Sequence, residues 1–124
     1  MNALIIEKTK ETPEINFNPT TGVLQITGRA YSNDIYQLFK PLNSWQDQYL
    51  ANPKNITTIE LRIEYCNTIF NKLLLIFLET SKTVLTKNKQ LVIKWYYEKG
   101  DKESMDDANH NSKLIDFPIE KVEY

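Results

Sequence analysis

Asn67 and Thr68 are polar side chains set between two of the most apolar-looking stretches of the chain, in "ELRIEYCNTIFNKLLLIFL" (60–78). Before them Leu61, Ile63 and Tyr65 alternate in the manner of a strand; after them the apolar residues recur at helical spacing. A hydroxyl at the mouth of a helix has three possible uses. The plain one is capping, since first-turn N–H groups lack intrahelical partners and Asn or Thr oxygens satisfy them. The second is phosphorylation: a phosphate adds about −1.5 to −2 charges, free N–H groups and the helix dipole can receive it, and Lys72 stands four residues on, on the same face. The third is nucleophilic catalysis, which needs an activating base. No base–orienter pair can be assembled here: the single histidine, His110, lies between Asn109 and Asn111 in a polar segment and is expected to face solvent.

The other chemistry-bearing residues have plainer readings. Cys66 ends a strand beside a helix start, a setting that can lower a thiol pKa, but burial as a small hydrophobe fits it better. Trp45, Trp95, Tyr96 and Tyr97 invite base stacking, yet Trp45 falls on a helical stripe and Trp95 alternates with Ile93 and Tyr97, so packing accounts for them. Glu98, Asp101, Glu103, Asp106 and Asp107 lack the spacing and glycine of a calcium loop and read as a solvated acidic segment.

These residues sit in a chain of 124, 41% hydrophobic and 25% charged, a size that predicts one domain, 1–124, with one core. Fifteen basic against sixteen acidic residues give a net charge of −1, which argues against general nucleic-acid binding. One cysteine and one histidine exclude an internal disulfide and the multi-His or multi-Cys metal sites, and no cofactor motif is present. The longest apolar run, 73–78, is six residues; a membrane span needs roughly 20. "MNALIIEKTKE" lacks the pattern of a secretory signal, so the expectation is a cytoplasmic protein without membrane insertion, in which the sequon Asn55-Ile56-Thr57 is coincidental.

The elements that must position Thr68 follow from periodicity. Residues 4–7 predict a first strand and "TPEINFNPTTGVLQITG" a hairpin turning at 19–22, its second strand ending at 27 before a break at Gly28-Arg29-Ala30. A helix capped by Ser32 or Asn33, with Asp34 in its first turn, carries Ile35, Leu38, Phe39, Leu42, Trp45, Tyr49 and Leu50; Pro41 predicts a kink or two consecutive helices. Residues 56–65 are the next strand. A second helix spans 68–86, with Phe70, Leu73, Leu74, Phe77, Ser81, Val84 and Leu85 inward and Asn71, Lys72, Glu79 and Lys82 outward. Residues 91–98 form a third long strand, 99–113 at most a short frayed helix, and "FPIEKVEY" an edge strand tolerating Pro118. The order β-β-β-α-β-α-β-(α)-β implies an α/β fold with a mixed sheet and helices mainly on one face.

Four segments, "TKETPEI" (9–15), "GRAYSNDIYQLFKPLNSW" (28–45), "YCNTIFNKLLLIF" (65–77) and "VIKWYYEKGD" (92–101), together with the ending "DFPIEKVEY", come in the order and spacing of one family. In them the chain resembles the SiaC-type regulatory phosphoproteins, small bacterial proteins. The resemblance implies a STAS-like domain, similar to the anti-sigma-factor antagonists. It also implies a non-enzymatic switch: a dedicated Ser/Thr-type kinase of histidine-kinase-like ATPase fold phosphorylates a hydroxyl at the helix start, a PP2C-type phosphatase reverses this, and the unphosphorylated form activates a diguanylate cyclase, raising cyclic-di-GMP and favouring aggregation or biofilm. Tyr65, Asn67, Thr68 and Lys72 match the family's pattern and make Thr68 the implied phosphosite. Ile69, Phe70 and Asn71 depart from its small polar residues, as altered surface or altered packing; together with Tyr65, Asn67 and Lys72 they are the residues expected to flank the site and meet a partner. The reading from a different class is a small enzyme or ligand-binding protein acting on a phosphorylated small molecule at the same helix start; it requires a formed pocket with convergent polar groups there. A constitutive adaptor with an unmodified cap is the third.

Overall fold

The computed structural model describes all of residues 1–124. Six strands and three α-helices follow in the order β1 (Leu4–Ile6), β2 (Glu14–Asn18), β3 (Val23–Ala30), α1 (Ile35–Ala51), β4 (Ile56–Cys66), α2 (Thr68–Ser81), β5 (Gln90–Tyr97), α3 (Lys102–Ile115) and β6 (Glu120–Glu123), with a 3-10 helix, Lys82–Lys87, continuing α2. The sheet order is β1-β2-β3-β4-β5-β6. The first three strands pair antiparallel; β3 to β6 pair parallel, each pair bridged by one helix. Parallel crossovers are right-handed, and three of them advancing in one direction leave their helices on one side of the sheet.

The register agrees. Phe17, Leu24, Ile59 and Ile93 are neighbours across four strands, and so are Ile15, Ile26, Leu61 and Trp95; all eight are buried. They face Phe39, Leu42, Phe70, Leu74 and Phe77 of the helices in one continuous core. The opposite face carries no helix and is polar. There Gln25 and Tyr96 donate to the Glu60 carboxylate (2.8 and 3.2 Å), and the Arg62 guanidinium lies 3.7 Å from the Tyr124 ring centre. Burial and the adjacent Glu60 charge hold the Tyr96 phenol above its usual range.

Several expectations need correction. Pro41 does not divide the first helix, which runs unbroken. Its buried stripe, from Ile35 and Phe39 before the proline to Trp45 and Tyr49 after it, docks as one unit, and that burial outweighs one lost backbone bond. The helix begins after Asp34, not after Ser32 or Asn33; the Ser32 hydroxyl instead accepts from the Asp34 N–H (3.1 Å) in the preceding turn. Strand β3 runs on through Gly28, Arg29 and Ala30 to pair with β4. The second helix is α-helical only to Ser81, and Leu85 is exposed. Finally, residues 102–115 are a full helix. Asp101 caps it by accepting from the Ser104 N–H (3.0 Å), and Glu103 and Lys113 sit at favourable ends of its dipole. The edge strand falls where expected, with Pro118 just before β6.

Candidate functional site

The ends of β3 and β4 form one rim of the sheet, and Asn67 holds it together. Its N–H donates to Ala30 O (2.8 Å), its side-chain amide donates to Ser32 O (3.3 Å), and its Oδ1 accepts from the Phe70 N–H (2.8 Å). The cap of α2 is therefore Asn67 alone. Thr68 is not the cap: it is the first helical residue, exposed, and its hydroxyl has no partner in the protein. The N–H groups of Thr68 and Ile69 have no acceptor inside the helix. Lys72, one turn on, is exposed.

The three departures from the family pattern separate in space. Phe70 is 0% exposed, packed on Phe39 with ring centres 5.5 Å apart. It belongs to the core, which removes it from the residues a partner could touch. Asn71, expected outward, turns to α3 and exchanges two amide hydrogen bonds with the buried Asn111 (3.1 and 2.9 Å). Only Ile69, 40% exposed, changes the surface. Asn111 escaped the reading of the sequence because the polarity of 99–113 masked a helix whose buried positions include Ala108, Asn111 and Ile115.

The Asn71–Asn111 pair has a measurable asymmetry. Asn71→Ala leaves the buried Asn111 amide unpaired and is expected to cost about 1–3 kcal/mol. Asn111→Ala leaves the half-buried Asn71 open to water and should cost less. Denaturant unfolding of the two variants measures the difference, and wild-type stability in Asn71→Ala would show that the pair contributes nothing.

Tyr65 breaks the burial alternation of its strand. It continues the Leu61–Ile63 alternation in the sequence, yet it is 59% exposed. A bulge is the cause: Gly28 pairs with Ile63 and Arg29 with Tyr65, so Glu64 is an extra residue and the alternation flips. Gly28 sits at φ +126°, a conformation that favours glycine, and is the sequence signal for this irregularity. Re-aimed, Tyr65 meets Tyr31 edge to face at 5.9 Å, and Glu64 meets Arg29 at 3.2 Å.

On the α3 side of β4 lies a cavity of about 150 Å³, lined among others by Tyr65, Cys66, Trp95, Asp101, Glu103 and Asp107. Burial, then the Asp107 charge, pushes the Cys66 thiol up to about 11, so it is an unreactive thiol at neutral pH. Burial, then Glu103, Asp101 and Asp106, raises the Asp107 carboxyl, while His110 opposes this. Carboxylates gathered this way repel a phosphorylated ligand, and Thr68 is not among the lining residues. No three His, Cys, Asp or Glu side chains converge as a metal site would require. His110 is exposed on α3; Trp45 and Trp95 are buried, and their indole N–H groups donate to Asn2 O and the Ser104 hydroxyl, both at 2.9 Å.

The SiaC family regulatory phosphoprotein model matches residues 6–124. A curated relative, an uncharacterized protein of Pseudomonas aeruginosa strain UCBPP-PA14, is 25% identical over 119 residues, covering 96% of this chain and 94% of the relative. Among solved structures, SiaC of Pseudomonas aeruginosa superposes with TM-score 0.88 at 24% identity over 100% of both chains. The apo-SiaC crystal structure from Pseudomonas aeruginosa gives 0.86 at 24% identity, over 98% of this chain and 99% of that one. A chain of the crystal structure of the diguanylate cyclase SiaD in complex with its activator SiaC, from Pseudomonas aeruginosa, gives 0.89 at 23% identity over 98% and 99%. With the family model matched over nearly its whole length, the chain belongs to the SiaC family of regulatory phosphoproteins.

Proposed function

We propose that this protein is a non-enzymatic signalling switch, reversibly phosphorylated at Thr68, whose unphosphorylated form binds and regulates a partner such as a diguanylate cyclase in the cytoplasm. The observation that carries the reading is the free, exposed Thr68 hydroxyl on a helix start that Asn67 already caps. Modification of that hydroxyl costs the fold no hydrogen bond. The phosphate would meet the unpaired N–H groups of the first turn, the positive end of the dipole and Lys72 one turn away. Beside the exposed Tyr65, Ile69 and Lys72, a dianion would then stand where a partner had met an uncharged hydroxyl. Family membership, and the SiaC–SiaD complex of Pseudomonas aeruginosa, support a diguanylate cyclase as the class of partner.

The writing enzyme in this reading is a Ser/Thr-type kinase of histidine-kinase-like ATPase fold, and the erasing enzyme is a PP2C-type phosphatase. Incubation with such a kinase from the same organism and ATP is expected to add one phosphate, located at Thr68 by mass spectrometry and absent from Thr68→Ala. A PP2C-type phosphatase should remove it. Phosphate found only at other residues would overturn the assignment. The alternative, an enzyme acting on a phosphorylated small molecule, is disfavoured by the carboxylate-lined cavity beside the rim.

A further inference from the structure

The same rim carries a second feature, on the side away from α3. A groove of about 590 Å³ runs between the β1–β2 loop and the end of β3, lined among others by Lys8, Lys10, Arg29, Tyr31 and Glu64. Its one carboxylate, Glu64, is paired with Arg29 at 3.2 Å, whereas neither lysine forms an ion pair. Two uncompensated ammonium groups thus sit together on a chain whose net charge is −1. Glu7 and Glu11 belong to the same loop and line none of the groove.

The loop is not slack. The Thr9 hydroxyl accepts from the Glu11 and Thr12 N–H groups (3.2 and 3.0 Å) and lies 2.6 Å from the Thr12 hydroxyl. The Glu11 carbonyl accepts from the N–H groups of Tyr31 and Ser32 (3.0 and 3.2 Å), and Ser32 O is held by Asn67. The loop backbone that bears the lysines is therefore tied to the framework that carries Thr68. Tyr31, in the groove, packs on Tyr65, which stands three residues before the hydroxyl.

We propose that this groove binds an acidic segment of the protein partner, with carboxylates at Lys8 and Lys10 and an apolar side chain on the Tyr31–Tyr65 pair. Charge complementarity commits the occupant: two unpaired cations on a tied loop, beside exposed aromatic edges, suit carboxylates interspersed with a hydrophobic residue. The proposal deepens the switch reading, on which its regulatory half rests. A phosphate at Thr68 would place negative charge beside an acidic occupant, which gives phosphorylation its sign as a release signal.

The test uses the full chain, isotope-labelled for NMR, and a synthetic peptide of alternating glutamates and alanines with one central phenylalanine. Saturable shifts are expected at Lys8, Lys10, Arg29, Tyr31 and Tyr65. The doubly charge-reversed K8E/K10E should bind about tenfold more weakly, the scale of two exposed charge pairs. Equal binding of a glutamine version of the peptide, shifts confined to other surfaces, or full affinity in K8E/K10E would each overturn the groove. Thr68→Glu should also bind the peptide more weakly. Lysine-dependent binding that Thr68→Glu leaves unchanged would uphold the groove and overturn its coupling to the switch.

Discussion

Replacing Phe70 by alanine is expected to remove about 3–5 kcal/mol of folding stability, the usual cost of emptying a buried aromatic position. The side chain is fully buried, packs against Phe39 of α1, and belongs to the first turn of α2. The helix around it is held in place, because Asn67 caps its start and the Asn71–Asn111 pair ties the next turn to α3. Against a total of about 5–15 kcal/mol for a typical domain, such a loss leaves a marginal fold. Guanidinium unfolding is the measurement, with Ile69→Ser as the comparison. Ile69 is exposed, and its substitution should stay within about 0.5 kcal/mol of wild type. Similar midpoints for the two variants would contradict the assignment of Phe70 to the core.

Thr68→Glu is expected to weaken partner binding by at least roughly 30-fold, since like charges brought together at an interface cost several kcal/mol. Thr68→Ala should stay within about threefold of wild type, the change of a small exposed side chain. Folding should not follow the same order. A carboxylate in the first turn of a helix faces the positive end of its dipole, a placement worth about 0.3–1 kcal/mol. Thr68→Glu should therefore unfold no earlier than wild type. Calorimetry against a diguanylate cyclase, paired with a thermal melt of each variant, separates the two effects. Equal affinity in Ala and Glu variants would rule out a charge switch at this residue. A parallel loss of affinity and stability in Thr68→Glu would turn the effect into one of folding.

How far the sequence reached depended on which interactions decide each residue's place. Strand β4, helix α2 and the polar junction between them were legible because alternation and helical spacing are local, and the resemblance then singled out Thr68. The outward turn of Tyr65 is not legible from alternation because its direction depends on pairing: the bulge opposite Gly28 exists only between two strands 35 residues apart. Helix α3 was underestimated because few of its residues are buried, and what holds it are Trp95 on Ser104 and Asn71 on Asn111, both contacts with other elements. Pro41 raised a local objection that the buried stripe of α1 overrode. The capping role expected of two residues fell to one, since the Asn67 side chain alone reaches the Phe70 N–H.

The rim that carries Thr68 is stitched from three loops distant along the chain: Glu11 to Tyr31 and Ser32, then Ala30 and Ser32 to Asn67. Each parallel pairing beneath it requires a complete crossover, and such long-range closures form late and slowly in folding. The β2–β3 hairpin can form early from local contacts, but the surface around Thr68 cannot. A nascent or misfolded chain thus displays the threonine without Asn67 anchored, without Tyr65 turned outward and without the lysine loop alongside. An enzyme or partner that reads the whole rim is in effect proofreading the fold, and a linear peptide around Thr68 is a poor substitute for it.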